Sequence, residues 1–477
     1  MFNIVTLPVM IVFVLMFLES IQGILEHAVK DLPGQPPVNF SQYAGYIDVG
    51  ETKSKHLFYW FVEADNKSPS SLPIAFWFNG GPGCSSVGDG LLTELGPFRV
   101  SYSGNLTFNE HSWNKEANVV FVESPVAVGF SYSNKKSDYA AFSDAQTATD
   151  AYSFLVNWFT SYPEYLKNDM YIIGESYGGH YVPQLVQQVV KHNKSPGAQF
   201  LNLKGFAVGN AWTDAYFDNK GSIDYFHSHS LISDETYKSL IDNCDLGHEF
   251  PIDVPNTSAK CNNATLVLYN MDLSGLNVYN IYGPSCNLPY NNVSTQEIMN
   301  QKTPSFPASA AIDPCLDYVT PYLNKADVKR ALHVSPDIEW TECSNTVFNK
   351  YAVSDILSSM LPVYRELLQT GLRIMVYSSG DFDGRVPTTG TRAWISQLGI
   401  QVKKPWYPWV HGGPRESNTG GGQVSGYAQV YEKNFTFSTV RAAGHLVPAD
   451  QPKRALALFH SFLTGKPLEP FEYPARP

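Results

Sequence analysis

The run Met170-Tyr-Ile-Ile-Gly-Glu-Ser-Tyr-Gly178, continued by Gly179-His-Tyr-Val-Pro183, organises the reading of this chain. Its first four residues are apolar and lead into G-x-S-x-G, and a helical pattern follows. A tight strand-to-helix turn of this kind needs small neighbours and lifts a serine hydroxyl clear of a sheet. The pentapeptide alone is a weak signal, since Gly and Ser are common in turns. A strand before it and a helix after it make Ser176 a candidate nucleophile.

A serine hydroxyl needs a base, and the base needs an orienting carboxylate. Downstream, Tyr377-Ser-Ser-Gly-Asp-Phe-Asp-Gly-Arg-Val-Pro387 follows an apolar strand and offers two aspartates. Asp383 sits deeper in the loop, where a G-x-x-D-x-x-V-P pattern puts the orienting acid; Asp381 reads as a turn residue. Ala443-Gly-His445-Leu-Val-Pro448 then places a histidine in a Gly-flanked loop before the last helix. Serine, acid and histidine in this chain order match an α/β-hydrolase sheet. The other histidines, His180 among them, lack such a context and read as structural.

Working outward, β-rich runs alternate with helical patterns, as in a mostly parallel sheet covered by helices. Core strands are expected at Ile74–Phe78, Val119–Glu123, Met170–Gly174, Gly205–Val208 and Arg373–Ser378. Ser143 and Gln146 read as a capping box, followed by an apolar stripe of Ala148, Tyr152, Leu155 and Phe159. A final helix is expected from near Asp450 to Gly465. The alternation lapses over about residues 212–343, which read as an insertion lying over the active site.

The chain has 477 residues, 43% apolar and 16% charged, enough for a large core. A single catalytic domain over 24–477 carrying that insertion is the expected organisation. The net charge is −11 and no long basic run occurs, which argues against nucleic acid or an anionic membrane as partner. Residues 4–18 form an uncharged apolar run, with small residues at Ser20 and Gly23. They read as the core of a signal peptide spanning 1–23, too short for a membrane span. Localisation in the secretory pathway is therefore expected, extracellular or vacuolar, with no membrane attachment after cleavage.

Six cysteines (Cys84, Cys244, Cys261, Cys286, Cys315, Cys343) suit an oxidising compartment and permit three disulfides. No CxxC or Cys/His cluster at zinc spacing occurs, so neither metal nor cofactor is expected. Sequons start at Asn39, Asn66, Asn105, Asn193, Asn256, Asn263, Asn292 and Asn434, and prolines follow those at Asn66 and Asn193. Glycosylation is expected among the other six.

These residues resemble the serine carboxypeptidase family, which includes yeast and wheat carboxypeptidases and lysosomal cathepsin A. The matching motifs are Trp77-Phe-Asn-Gly-Gly-Pro-Gly-Cys-Ser-Ser86, Glu123-Ser-Pro, Gly129-Phe-Ser-Tyr-Ser133, Gly174–Pro183, Gly209-Asn210, Gly380-Asp-x-Asp383 and Gly444-His445. They cover about residues 38–464. Val126-Ala127 departs from the small residues common before Val-Gly-Phe. The plant branch is the nearest by cysteine layout, and it implies the pairs 84–343, 244–261 and 286–315.

The resemblance also implies roles. The backbone N–H groups of Gly81 and Tyr177 would form an oxyanion hole. Asn79, Gly80 and a carboxyl pair of Glu175 with Glu94 would bind the substrate's C-terminal carboxylate. The implied activity is release of C-terminal residues from peptides and proteins, favoured at acidic pH. Peptide C-termini would be the substrate, and a second copy of the chain, as a homodimer, stays open. The alternative is a plant acyltransferase of the same fold that uses acyl-glucose donors. Those enzymes tend to lose the Asn of NGGPG, whereas Asn79, Glu175 and Gly179 all remain here.

Overall fold

A computed structural model describes residues 26–248, 258–285, 317–411 and 423–471. The signal-peptide segment, the Cys286–Cys315 pair and the sequons at Asn256 and Asn292 lie outside these residues. The strands run β1 (Gln42–Val49), β2 (Lys55–Val62), β3 (Ile74–Phe78), β4 (Phe98–Val100), β5 (Leu106–Phe108), β6 (Asn118–Val122) and β7 (Tyr132–Ser133). They continue with β8 (Met170–Glu175), β9 (Leu203–Gly209), β10 (Arg373–Ser379), β11 (Val402–Val410), β12 (Gly426–Tyr431), β13 (Phe435–Val440) and β14 (Glu469–Pro470).

The main sheet has the order β1-β2-β6-β3-β8-β9-β10-β13-β12-β11-β14, with β7 added to β2. From β6 to β13 every neighbouring pair is parallel, and antiparallel pairs flank this centre. The five expected core strands are the contiguous strands β6, β3, β8, β9 and β10. Helices cover both faces, so these strands are apolar throughout rather than alternating. Along β3, Ala75 and Trp77 enter one core and Phe76 the other; along β8, Tyr171 and Ile173 oppose Ile172. One core includes Trp113 and Phe459, and the other Trp158 and Val186. The fold is the α/β-hydrolase fold.

The helix Asp144–Ser161 buries Ala148, Leu155 and Phe159 of the expected stripe, with Tyr152 partly covered. Its capping box forms only by half. Ser143 accepts the Gln146 N–H at 3.3 Å, but the Gln146 side chain turns forward to Asp150 at 2.9 Å. The Asp150 carboxylate, held by Lys55, accepts the amide nitrogen and draws the side chain away from the cap's backbone N–H. The last helix runs Pro452–Thr464 and ends on Gly465 at φ 70°, where the left-handed cap suits glycine. It begins later than expected because Asp450 belongs to a separate turn, Val447–Asp450, and its carboxylate accepts the Gly444 N–H at 2.6 Å.

No strand occurs among the described residues between Gly209 and Arg373. Helices Ala215–Ser228, Asp234–Asn243 and Ala259–Val267 instead build a small core around Ile223, Phe226, Leu240 and Leu268. Cys244–Cys261 staples two of these helices, and Cys84–Cys343 ties the far end of this region to the loop after β3. Main-chain bonds flank the second bridge on either side, Ser85 N to Glu342 O at 2.8 Å and Ser344 N to Gly83 O at 2.9 Å. Among the described residues no helix is long and apolar enough to cross a membrane.

Closing a loop across 259 residues restricts the unfolded chain far more than the 17-residue bridge does. Replacing Cys84 and Cys343 by serine should lower unfolding stability by about 2–4 kcal/mol. Reversible denaturant titration of the purified chain would measure it, and non-reducing peptide maps of the wild type should show the linked pair.

Candidate active site

Ser176 follows β8 directly and holds φ at 56°, a left-handed conformation disfavoured for a residue with a Cβ. Its N–H donates to Gly209 O at 3.0 Å, and its carbonyl accepts the Trp212 N–H at 2.9 Å and the Gly179 N–H at 2.9 Å. Gly174 is required by contact: a Cβ there would stand 2.4 Å from Phe78 O. Helix Gly178–His192 then leads away beneath the sheet. The tight approach of β3, β8 and β9 thus fixes the serine where the strand ends.

Asp383 follows β10 and His445 follows β13, so all three residues leave the carboxyl ends of neighbouring parallel strands. His445 Nδ1 lies 2.8 Å from Asp383 Oδ2, with both side chains buried. Three donors besides histidine hold that carboxylate: Asn210 Nδ2 at 2.6 Å, Arg385 N at 2.7 Å and Val386 N at 3.1 Å. Asp381 takes a different partner, the Ala442 N–H at 2.7 Å, and makes no bond to His445. The other imidazole nitrogen, Nε2, is buried and has no hydrogen-bond partner among the described residues. A base held by a carboxylate on one nitrogen and open on the other can accept a proton from a hydroxyl.

The loop after β3 packs against the serine. A Cβ on Gly80 would lie 2.4 Å from Tyr177 N and 2.7 Å from Ser176 Cβ, so only glycine lets the two segments approach. Among the described residues the main-chain N–H groups of Gly81 and Tyr177 donate to no protein acceptor. Two unpaired donors beside a serine can stabilise an oxyanion.

Glu175 and Glu94 meet Asn79 in a fully buried cluster. The Asn79 carbonyl accepts from the Trp77 indole, which turns its amide nitrogen toward Glu94 Oε1 (3.4 Å) and Glu175 Oε1 (3.3 Å). The two carboxyls thus stand side by side on one amide, where a proton can be shared between them. Burial raises the Glu175 carboxyl well above its usual range, and the neighbouring Glu94 charge adds to it. Burial also pushes Glu94 up to about 7, although hydrogen bonds from Glu175 and Asn79 pull against it. The pair therefore keeps a proton at neutral pH, and below about pH 7 both carboxyls are neutral.

Two supporting residues carried no assigned role in the sequence. Asn210, at φ 40°, accepts Ser379 N at 3.1 Å while its amide holds Asp383. Glu123 accepts from Ser85 Oγ (2.7 Å), Ser86 N (3.1 Å) and Trp340 Nε1 (3.3 Å), and burial pushes it up to about 7. Ser86 Oγ in turn accepts the Asn79 N–H at 3.0 Å. The Gly209-Asn210 and Glu123-Ser-Pro motifs were the only local signals for either residue. A cavity of about 590 Å³ opens beside His445, lined among others by Asp89, Arg99, Tyr279, Trp340 and Glu342. The sequons at Asn39, Asn105, Asn263 and Asn434 are exposed.

Comparison with known proteins agrees with this geometry. The family model described as serine carboxypeptidase matches residues 33–465. Serine carboxypeptidase-like 22 of Arabidopsis thaliana is 44% identical, over 93% of this chain and 93% of its own. Serine carboxypeptidase 24 of the same plant is 42% identical, over 92% of each chain. Among solved structures, the prohormone-processing carboxypeptidase Kex1 from Saccharomyces cerevisiae superposes with a TM-score of 0.74 at 26% identity, covering 93% of this chain and 96% of that one.

The buried acids also set a stability profile. Glu94, Glu123 and Asp218 keep a proton to about pH 7 in the folded chain, all three through burial. Unfolded Asp and Glu release theirs near about pH 4. Between these limits the folded state binds more protons, so stability is full below about pH 4 for these groups and is lost as pH rises through 7. Thermal unfolding at pH 7.5 should therefore occur several degrees below that at pH 5. A higher unfolding temperature at pH 7.5 would contradict these protonation states.

Proposed function

Because the chain belongs to the serine carboxypeptidase family, we propose that it releases C-terminal residues from peptides and proteins through an acyl-enzyme, most efficiently at acidic pH. The observation that carries the reading is the Glu175–Glu94 pair, fully buried against Asn79 with Glu175 next to Ser176 in sequence, where burial favours a proton on the pair. An esterase has no need of such a pair. An exopeptidase does, because a neutral carboxyl can donate a hydrogen bond to a substrate's free carboxylate.

In this scheme Ser176 Oγ attacks the last peptide carbonyl while His445 Nε2 takes the hydroxyl proton. Asp383 keeps the other imidazole nitrogen protonated and aimed. The N–H groups of Gly81 and Tyr177 receive the oxyanion. The C–N bond then breaks, His445 passes its proton to the leaving amine, and the terminal amino acid departs. Water, deprotonated by His445, then attacks the acyl carbon, the C–Oγ bond breaks, and His445 returns the proton to Ser176. Asn79, Gly80, Glu175 and Glu94 hold the terminal carboxylate until the amino acid departs. Disulfides at Cys84–Cys343 and Cys244–Cys261, exposed sequons and the apolar leader support a chain of the secretory pathway, extracellular or vacuolar.

The triad roles predict non-additive losses. Ser176→Ala and His445→Ala should each lower kcat by at least about 10,000-fold, and the double variant hardly more. Asp383→Asn places an amide among donors, misorients the imidazole and should cost about 10,000-fold. Asp381→Asn should cost under about 10-fold, since it touches Ala442 and not His445. Steady-state assay on N-blocked dipeptides measures all five variants, and a larger loss at Asp381 would exchange the two aspartates.

The carboxyl pair predicts a split between substrates. Below pH 7 Glu94 is protonated, and as pH rises through about 7 it ionises and repels the substrate carboxylate. Peptide kcat/KM should therefore fall across that range, mainly through KM. Peptide amides and esters lack the terminal charge, and their hydrolysis should persist to higher pH. Glu94→Gln should flatten the peptide profile, because its carboxamide stays neutral at every pH. Identical profiles for peptides and esters would rule the mechanism out, and transfer from acyl-glucose without peptide cleavage would favour the acyltransferase.

A further inference from the structure

Beneath the nucleophile turn lies a buried polar cluster that the chemistry above does not use. Its centre is Asp144, the first residue of helix Asp144–Ser161. Asp144 Oδ1 accepts from the hydroxyls of Tyr177 (3.0 Å) and Tyr351 (2.7 Å). Its Oδ2 accepts from His180 Nδ1 (2.8 Å) and Gln184 Nε2 (2.7 Å). These donors come from three places: the residue after Ser176, the first two turns of helix Gly178–His192, and the segment beyond Cys343. Burial pushes the carboxyl up, yet hydrogen bonds from His180, Tyr351 and Gln184 outweigh it and hold the group below the usual carboxylate range.

The Tyr177 ring stacks on His180 at 4.7 Å and meets Tyr181 and Tyr351 edge-on at 5.2 and 5.4 Å. Val128, Phe142 and Val347 close the cluster. A buried carboxylate is costly unless every lone pair finds a donor. Only a carboxylate, with acceptor sites on both oxygens and no proton of its own, takes four donors at once. Tyr177 is therefore fixed at both ends. Its phenol is tied to Asp144, and its main chain follows a serine in the left-handed region.

We propose that Asp144 is a positioning residue: by anchoring Tyr177, His180 and Gln184 it fixes the direction of the Tyr177 main-chain N–H at the oxyanion site. The proposal rests on the reading of that N–H as an oxyanion donor. A small rotation of the peptide plane would leave the substrate bound and weaken only the bond to the tetrahedral oxyanion, so the effect belongs in kcat.

The test is Asp144→Asn in the full-length enzyme, since an amide puts a donor where four donors converge. With an N-blocked dipeptide and the matching ester, kcat should fall roughly 10- to 100-fold, with KM within about 3-fold of wild type. A peptide aldehyde, which becomes tetrahedral on Ser176, should weaken by the same factor as kcat/KM. The N-blocked acid product, which does not, should bind as before. Unchanged kcat and aldehyde affinity would overturn the proposal, as would an equal weakening of aldehyde and product. Should Asp144→Asn fail to fold, Tyr177→Phe removes one of the four bonds. It should lower kcat and aldehyde affinity together by several-fold, and no change in either would overturn the proposal. A wild type that hydrolyses the ester but no dipeptide would remove the carboxypeptidase reading alone, leaving the ester and the aldehyde to judge Asp144.

Discussion

Ser176 holds a left-handed backbone, which costs on the order of 1–3 kcal/mol for a residue carrying a Cβ. It persists because the neighbouring elements leave no room to relax. Its carbonyl is held by the Trp212 and Gly179 N–H groups and its own N–H by Gly209. Gly174 lets β3 pass behind it, and Gly80 lets the loop after β3 pass in front. The loop then lies beside the Tyr177 N–H, and the carboxyl pair stands one residue upstream. The geometry of the site thus follows from a single strained turn and from what must be small to surround it.

Two kinds of carboxylate surround that turn, separated by their hydrogen bonds rather than by burial, which they share. Asp383 and Asp144 each take four donors and are matched to a full negative charge. Glu94 and Glu175 share the one Asn79 amide, too few donors for two charges. Burial then favours keeping a proton. Glu123, which stands behind Asn79 through Ser86, takes three donors, yet its burial outweighs them. The same physics therefore supplies an orienting anion on one side of the nucleophile and a neutral donor on the other.

The segment between β9 and β10 touches this arrangement directly. Val278 O accepts the Gly384 N–H and Ile281 N donates to Phe382 O, each at 2.9 Å, bracketing Asp383. Tyr279 O accepts the His445 N–H at 2.7 Å, and its ring meets the imidazole edge-on at 5.1 Å. Asn280 completes the set by donating to Asp450, which also holds Gly444. One short stretch thus touches the loops of both the acid and the base.

The sequence by itself determined the sheet and the order of the chemistry. The five core strands are continuous apolar runs, and Ser176, Asp383 and His445 stand in Gly-rich loops at strand ends, features that local composition records. The helix cap at Ser143 was legible, but the direction of Gln146 was not, because its acceptor Asp150 is held by Lys55 through a contact 95 residues apart. Resemblance supplied Glu94 as a partner of Glu175, and folding brought the two side chains to one amide. The loop pattern favoured Asp383 over Asp381, and tertiary structure supplied the contacts: Asp383 meets the imidazole, whereas Asp381 holds the Ala442 N–H. Tertiary structure alone assigned Asn210 to Asp383 and Asp144 to the nucleophile turn. Those bonds cross 173 and 33 residues of chain, and a hydrogen bond between distant residues leaves no periodicity or spacing for a sequence to display.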